Sequence, residues 1–307
     1  MMHFTDAQIE ASVSCDEAFD AIREVYKERA CGRIALQPRR RIAVGRNKFS
    51  TMAAMLDREQ VAAIKFYATL SERFHFHVAL VSLVDGRLIA MMDGDALTRL
   101  RTAATTTFAA TLFANPRSQT LGLIGAGVQA AAHVRALIRA FLLERVTIYD
   151  PNDEIVARLL TSLGADGIEA RTATAEEAAR SDIVVAATRS STPVLSGDWL
   201  LPGTFIASVG ATRTDQRELD DACIARASRV IVDAREQTIE ESGDFQLLAP
   251  ELLARARIDD LSEALTSPGF NPTAGPVVYK AVGNALQDAA LAALVYKKLR
   301  SRESEVE

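Results

Sequence analysis

The stretch LGLIGAGVQAAAHVRALIRAF, residues 121–141, carries the clearest structural signal in this chain. Its first half is an apolar run that breaks at glycines, as a short buried strand entering a turn does. Its second half places Val134, Leu137, Ile138 and Phe141 at helical spacing, on one face. The stretch therefore predicts a strand, a glycine-rich turn and a helix in direct succession. Because this unit begins only at residue 121, another folded segment is expected before it.

The turn matches the pattern G-x-G-x-x-G/A, which holds dinucleotides when it joins a strand to a helix. Gly125 permits the tight turn, Gly127 lets the backbone approach a pyrophosphate, and Ala130 lets the helix pack closely on the strand. The start of the helix, with Val128 and Gln129, offers free N–H groups and a partial positive charge to phosphates. A glycine-rich turn that holds no ligand is the alternative.

The acid at the end of the next strand-like run, RVTIYD (145–150), indicates which dinucleotide is expected. Asp150 can accept hydrogen bonds from both hydroxyls of an adenosine ribose, and it would repel a 2′-phosphate. No Arg or Lys follows closely in the next residues, DPNDEIVAR, to attract such a phosphate. We therefore expect NAD as the cofactor, with NADP less favoured.

Composition fits a soluble globular chain with two domains. The chain has 307 residues, of which 49% are hydrophobic and 24% charged, and its net charge is −5. No segment concentrates Lys and Arg over more than a few positions, so a nucleic-acid partner is not expected. No window approaches the roughly 18 uninterrupted apolar residues of a membrane span, and the N-terminus does not read as a signal peptide. The three cysteines are far apart and odd in number, which fits a reducing cytoplasm.

The pattern of elements changes along the chain. Residues 4–31 read as helix, residues 41–95 as short strands, residues 95–113 as helix again, and ANPRS (114–118) as a loop. Five short apolar runs then alternate with helical segments, as in a parallel sheet with crossover helices. The runs are TLGLIG (120–125), RVTIYD (145–150), DIVVAAT (182–188), TFIASVG (204–210) and RVIVDA (229–234). The segment Val277–Leu299 is predicted to form one apolar helix.

Seven pieces of the sequence together resemble the ornithine cyclodeaminase/mu-crystallin family over almost the whole chain. They are QPRRR (37–41), Lys65, MDGDALTRLRTAA (92–104), IGAGVQA (124–130), SVGATRTDQRELDD (208–221), IVDAREQTIEESGD (231–244) and VVYKAVGNALQD (277–288). The resemblance implies an α/β fold with a Rossmann NAD-binding domain over residues 114–276. It implies an α+β substrate-binding and dimerisation domain from residues 1–113 and 277–307, and hence a homodimer. The implied chemistry is hydride exchange between nicotinamide and the α-carbon of an amino or imino acid.

By motif position, the resemblance implies that Arg40, Lys65 and Arg101 hold the substrate carboxylate. Arg39 and Arg41 stay open as alternatives to Arg40, because three successive arginines leave the register ambiguous. Bidentate arginine suits a planar carboxylate, and one charge pair at about 4 Å is worth roughly 4 kcal/mol at an effective dielectric of about 20. Clustered cations should lower the pKa of Lys65, which makes it a candidate proton donor. Surface salt bridges are the alternative role for Arg40 and Arg101.

Further positions are assigned to the cofactor. Val209, Gly210 and Val282 of the KAVG segment (280–283) are expected on the nicotinamide side, and Thr102 and Thr188 complete the set. The ESGD motif (241–244) matches the family, but neither a catalytic nor a structural role follows from it.

One position departs from the cyclodeaminases of the family. Thr212 stands where they carry a catalytic Asp, and a hydroxyl cannot accept a proton at neutral pH as a carboxylate does. Asp215 follows three residues later as a candidate replacement. The pattern TRTDQREL (212–219) is similar to the mu-crystallin members, whose activity is ketimine reduction.

The sequence therefore predicts NAD(P)H-dependent reduction of a cyclic ketimine or α-imino acid. Such an enzyme would resemble the pyrroline-2-carboxylate and piperideine-2-carboxylate reductases or the alanine dehydrogenase of the family. Ornithine or lysine cyclodeamination with another base, and nucleotide binding without catalysis, are the alternatives. His75 and His77 could face one side of a strand as metal ligands, but no third ligand is evident, so no metal is expected.

Overall fold

The computed structural model describes residues 1–71, 73–266, 269–271 and 275–304. Their backbone falls into two compact units. The first unit combines Met1–Thr105 with the segment from Asn284 onward, and the second unit is Thr106–Gly283. The chain therefore divides at 105/106 and 283/284, whereas the sequence placed the boundaries at 113/114 and 276/277.

The first unit is built on a six-stranded sheet of order β1-β6-β5-β4-β3-β2. Its strands are β1 (Met2–Phe4), β2 (Ile34–Val44), β3 (Asn47–Leu56), β4 (Val61–Leu70), β5 (Arg73–Ser82) and β6 (Leu88–Asp93). β1 runs parallel to β6, and the other neighbours are antiparallel. Buried and more exposed residues alternate along β3 and β4, because successive side chains point to opposite faces. The sheet thus has one inner face, which includes Met52 and Lys65.

Helix α12 (Ala285–Ser304) covers that inner face and also contacts α2 (Cys15–Ala30). The helical segment predicted over residues 4–31 is divided, since α1 (Asp6–Ser12) precedes α2. Both helices begin at capping boxes, with Thr5 and Ser14 as the N-cap residues. Helix α3 (Asp95–Phe113) continues past the division between the units at residue 105.

The second unit is built on an eight-stranded sheet in which every neighbouring pair is parallel. Its strands are β7 (Thr120–Ile124), β8 (Arg145–Tyr149), β9 (Ala170–Thr172), β10 (Ile183–Ala186), β11 (Phe205–Ser208), β12 (Arg229–Val232), β13 (Ile258–Asp260) and β14 (Val277–Lys280). The order is β13-β12-β14-β11-β10-β7-β8-β9. The α/β prediction is confirmed, and each of the five predicted apolar runs contains a strand.

The helices that accompany this sheet are mostly short. They are α4 (Val128–Ala140), α5 (Asp153–Ala165), α6 (Ala175–Ala179), α7 (Asp221–Ala225), α8 (Arg235–Glu241), α9 (Gly243–Gln246), α10 (Pro250–Arg255) and α11 (Leu261–Ala264), with a 3-10 turn at Gly197–Trp199. Among the described residues, no helix has the length and apolar character needed to cross a bilayer.

The single helix predicted from Val277 to Leu299 is wrong in its first part. The run VVYK forms β14, which lies between β11 and β12 in the sheet. A parallel strand that is buried on both faces reads as a continuous apolar run, and periodicity alone does not separate it from a buried helix. The helix begins only at Ala285.

Candidate active site

Lys65 lies on the inner face of the first unit's sheet and is only 1% exposed. Its Nζ donates hydrogen bonds to Thr98 Oγ1 at 2.5 Å and to Asp288 Oδ1 at 2.9 Å. The same ammonium lies 4.4 Å from the centre of the Phe76 ring. Strand β4, helix α3 and helix α12 therefore fix its position together.

Arg101 joins the same cluster from α3 and is also buried. Its Nη1 donates to Gln287 Oε1 at 2.7 Å, and its Nε lies 3.4 Å from Asp288 Oδ1. Gln287 in turn donates to the Tyr26 hydroxyl at 3.0 Å, which orients the amide. The surface role considered for Arg101 is thus wrong, since Arg101 shares one buried carboxylate with Lys65.

The three successive arginines of β2 do not all face the same side of the sheet. A bulge between Gln37 and Arg40 shifts the register, and Arg40 then pairs with Thr51 and is exposed. Arg39 Nη2 lies 3.8 Å from Met52 Sδ, and Met52 pairs with Lys65 across the neighbouring strands. Arg39 therefore lies on the face that carries Lys65, and Arg40 lies on the opposite face.

Arg41 is also on the inner side of β2, where its Nε donates to Ser50 Oγ at 3.2 Å. Arg39 and Arg41 therefore lie on the side of the sheet that carries Lys65, and Arg40 does not. The bulge is the physical reason, because one extra residue reverses which side chains face inward.

Burial lowers the pKa of Lys65 from 10.5 to about 8. The Asp288 carboxylate raises that pKa, whereas the Arg101 and Arg39 guanidiniums lower it further. The sequence predicted a lowered pKa for Lys65 from the clustered cations alone, but the loss of hydration on burial is the larger cause.

The second unit carries the glycine-rich turn between β7 and α4. Gly125 has φ +96°, and a Cβ there would lie 2.7 Å from the carbonyl oxygen of Ala187, so only glycine fits. Gly127 is the N-cap of α4, and a Cβ on it would have no neighbour within 4 Å among the described residues. No described side chain caps this helix start, so its first N–H groups are open to an anion.

Asp150 follows β8 and is half-buried beside this turn. Its Oδ2 accepts the Ala126 N–H and its Oδ1 accepts the Asn152 N–H, both at 2.9 Å. A carboxylate has about four lone-pair sites, so further acceptor capacity remains for ribose hydroxyls. The turn and the acid therefore fit the dinucleotide predicted from the sequence.

A buried ionic network lies at the carboxyl ends of β11 and β14. Lys280 Nζ lies 2.8 Å from Asp244 Oδ2 and 3.9 Å from Glu218 Oε2, and it donates to Ser208 Oγ at 3.0 Å. All four side chains are at most 1% exposed. Asp244 also accepts the backbone N–H groups of Glu218 and Leu219. The acid of the ESGD motif thus has a structural role here.

Glu218 connects this network to the predicted cofactor positions. Its carboxylate accepts the N–H of Thr188 at 2.5 Å and the N–H of Gly210 at 3.0 Å. A Cβ on Gly210 would lie 2.0 Å from the carbonyl oxygen of Thr188, so the two loops pack at backbone distance. Burial raises the pKa of Glu218, and the Lys280 ammonium opposes that rise.

Other predicted cofactor positions have separate surroundings. Val282 donates its N–H to Asp233 Oδ1 at 3.3 Å, and Asp233 Oδ2 accepts from Gly283 at 2.8 Å. Val209 is buried directly after β11. Thr102 belongs to the first unit, where its hydroxyl donates to the Thr98 carbonyl at 2.7 Å.

The sequence matches the family model described as the ornithine cyclodeaminase/mu-crystallin family over residues 1–303. The chain belongs to this family. The resemblance inferred from its motifs is therefore confirmed, and the match extends across both units.

Similar proteins carry several names within the family. The chain is 33% identical to the ketimine reductase mu-crystallin of Mus musculus over 223 residues, which are 72% of this chain and 69% of that protein. A solved structure described as a probable ornithine cyclodeaminase from Bordetella pertussis Tohama I is 38% identical, with a TM-score of 0.92 and coverage of 99% and 98%. An archaeal alanine dehydrogenase, described as a dimer with bound NAD, is 27% identical, with a TM-score of 0.90 and coverage of 99% and 97%.

The two positions that bear on cyclodeamination have different surroundings. Thr212 is half-buried, and its N–H donates to Gln216 Oε1 at 3.3 Å. Asp215 is exposed and pairs with Arg213, whose Nε lies 2.8 Å from it.

The histidines considered earlier have ordinary surroundings. His75 and His77 are exposed on the outer face of the first unit's sheet, and the described residues contain no group of three or more His, Cys, Asp or Glu that could hold a metal. His133 is buried, and its ring nitrogens lie 2.7 Å from the Gln129 carbonyl and 2.9 Å from Thr106 Oγ1.

Sequence reasoning missed the acids that organise both sites. Asp288, Glu218, Asp244 and Asp233 were all inside segments that resemble the family, yet none was assigned a role. The available signal was a single acid within an otherwise apolar run, as Asp288 is within NALQDAALAALV (284–295). Such acids are almost never fully buried unless they are paired.

Proposed function

We propose that this chain reduces a cyclic ketimine or α-imino acid to the amino acid with NAD(P)H, as a pyrroline-2-carboxylate or piperideine-2-carboxylate reductase or an alanine dehydrogenase does. The observation that carries the proposal is the buried cluster in which Lys65 and Arg101 share one carboxylate, Asp288. Two buried cations against one anion are costly unless a further anion joins them. The carboxylate of an α-imino acid supplies that anion.

The family comparisons support the same chemistry. The mouse relative is named a ketimine reductase and the archaeal structure an alanine dehydrogenase. Both names describe reactions at a carbon–nitrogen bond.

The residues of the cluster have two different roles in the proposed reaction. Arg101 and Arg39 bind the substrate carboxylate, since guanidinium matches its planar geometry. Lys65 gives a proton to the imine nitrogen, because its pKa of about 8 lies near ambient pH, where a general acid is most effective. When bound, NADH supplies the hydride that reduces the imine carbon.

NAD is the proposed cofactor. The open start of α4 and the position of Asp150 support it, and a 2′-phosphate would face the Asp150 carboxylate. We expect NADH to bind about tenfold tighter than NADPH or better, which corresponds to about 1.4 kcal/mol. Titration of NADH and NADPH fluorescence checks this, and equal affinities would contradict the proposed role of Asp150.

The reaction is tested by following loss of NADH absorbance with a panel of substrates. The panel holds Δ1-pyrroline-2-carboxylate, Δ1-piperideine-2-carboxylate, and pyruvate or oxaloacetate with ammonia or methylamine. Turnover of a cyclic imine supports a ketimine reductase, and turnover only of an oxo acid with an amine supports a dehydrogenase of the alanine type.

Two other outcomes overturn the reductase. Ammonia release from ornithine or lysine without imine reduction would identify a cyclodeaminase, the name given to the Bordetella pertussis structure. NADH binding without turnover of any substrate would identify a nucleotide-binding protein without catalysis.

We infer that the chain forms a homodimer and works in the cytoplasm. The outer face of the first unit's sheet exposes large apolar side chains, including Ile42, Val44, Phe49 and Met55, and the archaeal alanine dehydrogenase is described as a dimer. None of the three cysteines forms a disulfide in the described part of the chain, which fits a reducing compartment.

A further inference from the structure

Asp288 is buried between the two cations of the first unit's cluster. It lies in the first turn of α12 and is 1% exposed. Its Oδ1 is 2.9 Å from Lys65 Nζ and 3.4 Å from Arg101 Nε. Within the described residues, its Oδ2 accepts no hydrogen bond. The two cations are therefore the groups that stabilise its charge.

We propose that Asp288 is the positioning residue that keeps Lys65 in its charged form and aims one of its protons at the substrate nitrogen. The inference rests on the proposed function, because only the reduction of an imine requires that proton. Asp288 itself touches neither the substrate nor the cofactor in this role.

Hydrogen bonding fixes the direction of the Lys65 ammonium. An ammonium has three N–H donors, and among the described residues Thr98 Oγ1 and Asp288 Oδ1 accept two of them. The Thr98 hydroxyl donates its own proton to the Gly94 carbonyl at 2.5 Å, so it meets Lys65 as an acceptor. One proton of Lys65 is left for the substrate.

The charges around Lys65 act in opposite directions. Burial, Arg101 on α3 and Arg39 on β2 all disfavour the ammonium, and the Phe76 ring on β5 gives it a modest attraction. Asp288 on α12 supplies the opposite charge. Without that carboxylate, the ammonium would face two guanidiniums in an apolar surrounding, and the balance would shift toward the neutral amine.

The proton transfer balances. The imine π bond breaks as its carbon accepts the hydride that NADH supplies, and NADH becomes NAD⁺. The imine nitrogen accepts the third proton of Lys65. The Lys65 side chain is then a neutral amine, and it regains a proton from water. Asp288 stays ionised throughout.

The test measures the titration of Lys65 directly. In protein labelled with ¹⁵N-lysine, the Lys65 Nζ signal is assigned by its loss in Lys65→Met and followed against pH by NMR. We expect the pKa of Lys65 to fall by about one unit or more in Asp288→Asn, because the raising influence of the carboxylate is removed. Asp288→Ser is a second uncharged variant in case the Asn variant does not fold, and Asp288→Glu, which keeps the charge, should largely restore the pKa.

Asp260→Asn is the matched control. Asp260 is also a buried acid, but it caps α11 in the second unit, so its loss should leave the titration of Lys65 unchanged. An unchanged Lys65 pKa in both uncharged Asp288 variants overturns the inference, whether or not the protein reduces imines.

The pH profile of imine reduction separates this inference from the proposed function. The rate should fall as Lys65 loses its proton, and in Asp288→Asn this alkaline limb should move to lower pH by the same amount as the NMR pKa. If the NMR pKa of Lys65 shifts but the alkaline limb of the pH–rate profile does not, then Lys65 is not the proton donor and Asp288 does not position it for that role. Absence of any turnover by the wild type would overturn the reductase itself, while the NMR result would still report on the charge of Lys65.

Discussion

At the scale of a single residue, Lys65 carries a charge in a place that disfavours it. Its pKa in the folded chain is about 8, below the ordinary 10.5, and burial is the largest cause. A folded pKa that lies below the unfolded one means that the unfolded chain binds more protons between these two values. Stability then rises with pH across that window.

Lys65 should therefore cost stability below pH 8 and stop doing so as the pH approaches 10.5. The difference in unfolding free energy between the wild type and Lys65→Met should change by about 3 kcal/mol across the window, in favour of the wild type at high pH. Urea unfolding of both proteins at several pH values measures it. Subtracting one unfolding free energy from the other cancels the contribution of other groups that titrate between pH 8 and 10.5. A difference that does not change with pH would contradict the lowered pKa of Lys65.

At the scale of elements, the bulge in β2 decides which arginine joins the cluster. Alternation along a regular strand would give Arg40 and Arg39 opposite faces, but the sequence does not show where the extra residue is accommodated. The structure places the irregularity between Gln37 and Arg40, which turns Arg39 toward Met52 and Lys65.

The two neighbouring arginines offer a matched pair of variants. Arg39→Ala should raise the KM for an imino acid about tenfold or more, since a carboxylate contact worth at least about 1.4 kcal/mol is lost. Arg40→Ala should leave KM within about twofold, because the side chain is exposed on the other face of the sheet. Steady-state kinetics of both variants distinguish the two arginines, and the reverse pattern would assign the carboxylate contact to Arg40.

The turn between β7 and α4 is the other element with a direct test. Gly127 has an ordinary φ of −74° and open space where a Cβ would lie, so Gly127→Ala should cost less than about 1 kcal/mol of stability. The added methyl would occupy the path of a pyrophosphate, so NADH affinity should fall at least about tenfold.

Gly164→Ala is the control for the turn. Gly164 is within α5 and also has room for a Cβ, so alanine there should raise stability by about 0.5–1 kcal/mol and leave NADH binding unchanged. Thermal unfolding and NADH fluorescence titration of both variants separate the two effects. Wild-type affinity in Gly127→Ala would mean that the turn does not hold the dinucleotide.

The sequence predicts correctly those elements that are determined by residues close together in the chain. The turn at Gly125 and the strands around it follow from glycine geometry and apolar runs, and Lys65 follows from the family motifs. The sequence did not predict β14, because the run VVYK has the same apolar character as the helix that follows it. It missed Asp288 for a different reason: Asp288 is 223 residues from Lys65 in the chain, and only the folded sheet and α12 bring them together.

At the scale of the whole molecule, the chain assigns different chemistry to its two units. The first unit gathers the buried cations around Asp288, and the second holds the glycine-rich turn and Asp150. The first unit is discontinuous in sequence, since its last helix follows the whole of the second unit. Its sheet is covered by α12 on one face, and the outer face carries aromatic and aliphatic side chains.

In the proposed homodimer, those outer side chains would contact a second copy of the chain. Phe49 is 41% exposed and lies 6.2 Å from the Phe66 ring, which lies 5.5 Å from His77. In a two-fold symmetric interface the same patch meets itself, so one substitution places two like charges close together. Phe49→Glu should therefore give a monomer, with little change in the stability of the single chain because Phe49 is already partly exposed.

Analytical ultracentrifugation over a range of concentrations measures the association. The wild type should sediment as a dimer and Phe49→Glu as a monomer. Leu142→Glu, at a position that is 90% exposed in the second unit, removes an equally apolar side chain and should remain a dimer. A monomeric wild type would overturn the dimer, and a dimeric Phe49→Glu would move the interface away from this face of the sheet.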